Sequence, residues 1–210
     1  MSNKEEKLRE IYSSLLPYLE KLADSTYENL KEILPSDLKN IDRISYRVKD
    51  EDSFLQKAFR KKDNGDLKYS EPIYEIQDII GLRLVVFYKQ DVEYYVKFIL
   101  NAYREIEDQV IVPDDERKFG YEGRHFILSI PPQLMGPYRG NESIPKFFEL
   151  QIKTLYEHAW SESNHDLIYK PQVNITPQMQ RSMAFIAAQS WGADKILSEL
   201  YDEIKKNHRN

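Results

Sequence analysis

The stretch Phe148-Glu149-Leu150-Gln151-Ile152-Lys153-Thr154 constrains the fold more than any other in these 210 residues. Phe148, Leu150 and Ile152 alternate with Glu149, Gln151 and Lys153, the period of a strand with one buried face. A carboxylate, an amide and an ammonium therefore share one side of a sheet. The residues that follow, LYEHAWSESNHDLIYK, change to helical spacing, which puts Glu162, His165, Asp166 and Tyr169 on one face. Alternation alone also describes an edge strand with a solvated face followed by a surface helix.

A second segment narrows the choice. Residues 76–88, IQDIIGLRLVVFY, read as an apolar β-rich strand with Asp78 at its entrance and Arg83 inside it. Burying an unpaired guanidinium costs several kcal/mol, so Arg83 needs an anionic partner. Gly81 removes a side chain between the two charges and allows close approach of backbone or ligand. An acid for a metal and an arginine for a phosphate make a minimal kit for a magnesium–nucleotide. A purely structural ion pair of Arg83 with a neighbouring carboxylate is the competing reading.

The composition excludes several classes. With 41% hydrophobic and 31% charged residues the chain is neither disordered nor fibrous. No run of about 18 apolar residues is present, so no membrane-spanning helix is expected. The charged start, MSNKEEKLRE, lacks the apolar core of a signal peptide. The absence of cysteine removes disulfides, thiol nucleophiles and thiolate metal sites, and fits a cytoplasmic protein. A net charge of −5 argues against a general nucleic-acid coat, but the run SFLQKAFRKKDNGDLK holds a local basic patch. Its ordinary explanation is a solvated helix end.

Along the chain, residues 5–34 have helical periodicity, with a break expected at Pro17 and a stop at Pro35. A strand is predicted over 44–49, a helix over 51–62, a turn at Asn64-Gly65, a strand over 79–88 and a helix over 91–103. Residues 112–123 read as a loop and 133–146 as irregular. Strands at 124–130 and 147–153, a helix over 154–169 and a long helix over 176–206 follow. The stripe Met183, Ile186, Trp191, Ile196, Leu200 and Ile204 on that last helix suits core or an oligomer face. Alternating elements of this kind predict a single α+β domain, α/β-like in its alternation. Its parts are N-terminal helices over 1–40, a core over 41–170 and a C-terminal helix over 171–210.

Four segments, in order, carry a resemblance. They are Arg47-Val48-Lys49 with Ser53 and Lys57; Asp78-Ile79-Ile80-Gly81-Leu82-Arg83; Gly120-Tyr121 with His125; and Glu149-Leu150-Gln151-Ile152-Lys153-Thr154 with Trp160, His165 and Tyr169-Lys170. Over roughly residues 40–205 the chain resembles the synthetase domain of RelA/SpoT homologues, in the small single-domain form. The resemblance implies a nucleotidyltransferase-like mixed sheet flanked by helices. It also implies transfer of the β,γ-diphosphate of ATP to a ribose 3′-hydroxyl with release of AMP.

In that scheme Asp78 and Glu149 hold Mg²⁺, and Glu149 takes the proton of the attacking hydroxyl. Arg47, Lys49, Lys57 and Arg83 clamp phosphates or stack on adenine, and Ser53 donates its hydroxyl to a phosphate. Tyr121 stacks on the acceptor base, while Arg117, Lys118, His125, Gln151 and His158 line the acceptor side. Two departures from the family pattern fall on that side: Glu122-Gly123-Arg124 after Tyr121, and Asn164 before His165.

The expected acceptor is the 3′-CCA end of tRNA, as in translation-blocking toxins of toxin–antitoxin pairs, with Arg60, Lys61 and Lys62 as tRNA contacts and an antitoxin protein as a possible partner. GDP or GTP, giving the alarmones (p)ppGpp, is the alternative acceptor. A homo-oligomer is a further possibility. A catalytically silent nucleotide binder or scaffold is a third reading, which the joint presence of Asp78 and Glu149 disfavours.

Overall fold

The structure, a computed structural model, describes residues 3–112, 119, 123–136, 144–169 and 174–207. Its elements run α1 (Asn3–Ile33), β1 (Ile41–Val48), α2 (Glu51–Ala58), α3 (Pro72–Glu75), β2 (Ile80–Val86), α4 (Lys89–Ala102) and β3 (Glu105–Ile111). Then come β4 (Gly123–Ser129), β5 (Phe147–Thr154), α5 (Leu155–Tyr169) and α6 (Pro177–Asn207). The strands form one mixed sheet in the order β1-β2-β5-β4-β3. Among the described residues only β2 and β5 run parallel; the other neighbours are antiparallel.

Strand β5 is therefore the centre of the sheet and not an edge. The alternation in its sequence separates two faces. Phe148, Leu150 and Ile152 are fully buried together with Leu82, Leu84, Phe126 and Leu128, and form one contiguous core with α1 and α4. Burying such side chains is worth roughly 1.5–3 kcal/mol each. The opposite face carries Glu149, Gln151 and Lys153. The parallel register sets Gly81 beside Glu149 and Arg83 beside Gln151, and His125 faces Gln151 from β4. Helix α5 covers part of this polar face.

Helix α1 passes through Pro17 without interruption, contrary to the expected break. Its buried stripe, Tyr12, Leu15, Leu19, Leu22, Ala23, Thr26 and Leu30, continues on both sides of the proline. Pro17 and Ser13, whose carbonyl loses its helical donor, are both exposed, so the freed group is not sealed away from solvent. The burial outweighs the roughly 3 kcal/mol that an interior proline costs.

Helix α2 stops at Ala58 instead of 62. Asp50 caps its start by accepting from the Ser53 N–H at 2.8 Å. Beyond Phe59 the chain turns back on itself: Lys62 N–H donates to Asp66 O, Gly65 N–H to Lys62 O, and Lys68 N–H to Arg60 O. Gly65 occupies the left-handed region that this turn requires, at φ +88°. The basic run is thus a helix end and a small hairpin, with Arg60, Lys61 and Lys62 exposed.

Two elements escape the sequence reading: the short α3 and the edge strand β3, whose acidic, mostly exposed residues give no apolar alternation. The stripe predicted on α6 is not core. That helix buries Ala187, Asp194 and Ser198, whereas Ile186, Ile196, Leu200 and Ile204 are about half exposed. Small and polar residues make its contact, so of the two roles expected for the apolar stripe the exposure removes the core.

Candidate active site

The loop from α3 to β2 delivers Asp78 to the mouth of the polar face. Lys57 from α2 and Lys49 after β1 approach the same carboxylate oxygen, Oδ2, at 2.9 and 3.1 Å. Tyr12 donates to the Lys49 carbonyl at 2.6 Å and stacks on Phe54 at 3.9 Å, which ties this corner to α1 and α2. Burial alone would raise the pKa of Asp78. The hydrogen bond from Lys57 and the charges of Lys49 and Lys57 outweigh it and hold the pKa below the usual carboxylate value. The other oxygen, Asp78 Oδ1, is buried and has no hydrogen-bond partner.

Glu149 lies on the neighbouring central strand. Gln151 Nε2 donates to its Oε2 at 2.8 Å, and His125 Nδ1 lies 3.4 Å from its Oε1. Burial pushes the Glu149 pKa up. His125 and Gln151 pull it down further, against the opposing charge of Asp78, and the net shift is downward. Both carboxylates are thus kept ionised near neutrality, as a metal ligand or a proton acceptor must be.

Arg83 crosses the middle of the face. Its Nη1 pairs with Glu162 Oε1 of α5 at 2.9 Å and lies 3.4 Å from His158 Nδ1, while its buried Nε has no hydrogen-bond partner. Burial, followed by the charge of Arg83, keeps His158 below the ordinary histidine value. Arg47 lies over Gly81: a Cβ there would stand 3.7 Å from Arg47 Cγ and Nε. Two cavities flank the Arg83–Glu162 pair. One, of about 120 Å³, is lined by Ser45, Arg47, Gly81, Arg83, Glu149 and Gln151 among others. The larger, of about 300 Å³, is walled by Arg47, Arg83, His125, Gln151 and Lys153 of the sheet and by Trp160, Ser161, Asn164 and His165 of α5.

Most residues expected in the site meet here: Asp78, Glu149, Arg47, Lys49, Lys57, Arg83, His125 and Gln151. His158 reaches it through Arg83. Ser53 sits in the capping turn of α2, its N–H engaged by Asp50. Arg60, Lys61 and Lys62 stand on their separate hairpin. Arg117, Lys118, Tyr121, Glu122, Lys170 and the Tyr169 side chain lie outside the described residues. Trp160, Ser161 and Glu162 were not among the site residues expected from sequence, although Glu162 stands on the helical face noted there and Trp160 belongs to a segment that carries the resemblance. Lys153 was not among them either, although the alternation of β5 already placed it on the face of Glu149.

A profile described as "Region found in RelA / SpoT proteins" matches residues 46–174. The chain belongs to the RelA/SpoT family. Members of this family are pyrophosphotransferases. The chain is 29% identical over 171 residues to GTP pyrophosphokinase YjbM of Bacillus subtilis (strain 168), covering 79% of this chain and 74% of that protein. Small alarmone synthetase 1 from Bacillus subtilis superposes with a TM-score of 0.74 at 26% identity, over 93% of this chain and 98% of the other. The same synthetase bound to its product pppGpp gives 0.72 at 24% identity, over 92% and 98%, a likeness of fold.

The residues present fit a magnesium ion. Mg²⁺ binds through one or two carboxylates plus substrate phosphates, and the buried Asp78 Oδ1, which has no hydrogen-bond partner, belongs to a carboxylate close enough to Glu149 for their charges to interact.

Proposed function

We propose that this protein transfers the β,γ-diphosphate of ATP to the ribose 3′-hydroxyl of GDP or GTP, making (p)ppGpp and releasing AMP. The observation that carries the reading is the convergence of Asp78 and Glu149 with Lys49, Lys57 and Arg83 on one face of the sheet. The 3′-oxygen attacks the β-phosphorus, the bond from that phosphorus to the α,β-bridging oxygen breaks, and AMP departs. Glu149 receives the hydroxyl proton, oriented by Gln151 and His125. Lys49, Lys57 and Arg83 neutralise charge on the phosphates as it shifts to the leaving group. Asp78 and Glu149 would hold Mg²⁺, which would supply further positive charge to the same phosphates.

Two observations favour a guanosine nucleotide over tRNA as acceptor. The curated relative at 29% identity is a GTP pyrophosphokinase. The cavity walled by His125, Gln151 and Lys153, about 300 Å³, suits one small ligand, and the basic residues expected to touch tRNA stand on another element. Incubation with γ-labelled ATP and, separately, GDP, GTP and deacylated tRNA tests the choice. Label is expected on GDP and GTP; label on tRNA alone would restore the toxin reading.

A further inference from the structure

Lys153 is the one charged side chain in β5 that the chemistry above leaves without a task. It is 4% exposed, and its Nζ lies 3.3 Å from Ser161 Oγ across the larger cavity. That cavity is walled by three permanent cations or ammonium groups, Arg47, Arg83 and Lys153, against one carboxylate, Glu162. Such an imbalance in a partly enclosed cleft suits an anionic ligand.

The uncharged groups of the wall complete the pattern. Gln151 gives its amide N–H to Glu149, so its Oε1 points elsewhere, buried and without a hydrogen-bond partner. Asn164 Oδ1 is in the same condition. Two partnerless carbonyl oxygens suit the N–H and O–H donors of a nucleoside. Glu149 and Lys153 lie about 13 Å apart on the same face of the strand, with Gln151 between them. A nucleoside phosphate with its 3′-hydroxyl at Glu149 therefore brings its 5′ end within reach of Lys153.

We propose that Lys153 is a binding residue for the 5′-phosphate chain of the acceptor nucleotide. The inference rests on the reading that the acceptor is a nucleoside di- or triphosphate. Burial and then the charge of Arg83 hold Lys153 at a pKa of about 8, against the raising influence of Glu162, Glu149 and Glu157. His158 on α5 also feels its charge, and His125 and His165 share the cavity. Lys153 is thus still charged at pH 7, and an arriving phosphate raises its proton affinity.

The test is calorimetric binding to the full chain of GDP, of guanosine and of a non-hydrolysable ATP analogue, for wild type, Lys153→Met and Lys153→Arg. In Lys153→Met, GDP affinity is expected to fall by roughly tenfold or more, while guanosine and the ATP analogue keep theirs. Lys153→Arg recovers most of the GDP affinity. In wild type alone, GDP binding weakens as pH rises through about 8. An equal loss of GDP and guanosine, or a loss of the ATP analogue in step with GDP, overturns the assignment. Unchanged GDP binding in Lys153→Met refutes Lys153 and leaves the acceptor standing. Wild type that binds neither GDP nor guanosine refutes both.

Discussion

Lys57 Nζ and Asp78 Oδ2 meet at 2.9 Å, on the same oxygen that Lys49 approaches, and the second oxygen of Asp78 is left to a ligand. One carboxylate thereby holds two lysines in place and, in the proposed mechanism, keeps a lone pair for a metal. Asp78→Asn removes the charge that does both. Its diphosphate transfer is expected to fall at least ~100-fold at saturating Mg²⁺, with the far-ultraviolet circular dichroism unchanged. Activity within a few-fold of wild type would refute the metal assignment.

Asp78 and Glu149 also predict how stability depends on pH. Both folded-state values lie below the ordinary carboxylate values. The unfolded chain therefore binds more protons as the solution is acidified. Their contribution is fully present above about pH 4–5 and is lost as pH falls through the depressed folded values. Thermal melts from pH 7 down to pH 3 should show a falling Tm, with a shallower acid slope in Glu149→Gln. An equal slope in both proteins contradicts the assigned environment of Glu149.

Much of this site is legible in the sequence because charges stand where apolar periodicity demands none. Arg83 inside an apolar strand, Asp78 before it and Glu149 in an alternating one each announce a partner. The parallel pairing that brings Gly81 beside Glu149 is invisible at that level, since the two segments are far apart in the chain. Strand β3 escapes the reading because an exposed acidic edge strand has no hydrophobic signal, and the apolar stripe of α6 faces outward, so periodicity does not report which face packs on the core. Pro17 was read by local propensity, which tertiary burial overrides.

Arg83 divides its contacts between Glu162 and the cavities on either side. Glu162→Gln frees the guanidinium and should tighten binding of a non-hydrolysable ATP analogue by a few-fold, whereas Arg83→Ala weakens it by at least about tenfold. Isothermal titration of both variants decides the matter. Weaker binding in Glu162→Gln would mean that the carboxylate positions Arg83 for the nucleotide instead of competing with it.

Lys153 should cost stability. Its folded pKa of about 8 lies below the ordinary lysine value of 10.5, so the folded chain holds fewer protons than the unfolded one between these values. Stability then rises with pH across that window, and the penalty is fully present below it. Lys153→Met should raise Tm by roughly 5 °C at pH 7, an advantage that shrinks above pH 8. A lower or unchanged Tm in this variant contradicts the buried-ammonium reading.

The most direct measurement is the stoichiometry of products from ATP and GDP, followed by phosphorus NMR on wild type and Glu149→Gln. One AMP should appear for each GDP consumed, and the product should carry a diphosphate ester on its 3′-oxygen, with both signals absent in Glu149→Gln. Formation of ADP with a singly phosphorylated acceptor, or undiminished AMP release by Glu149→Gln, would contradict diphosphate transfer at this site.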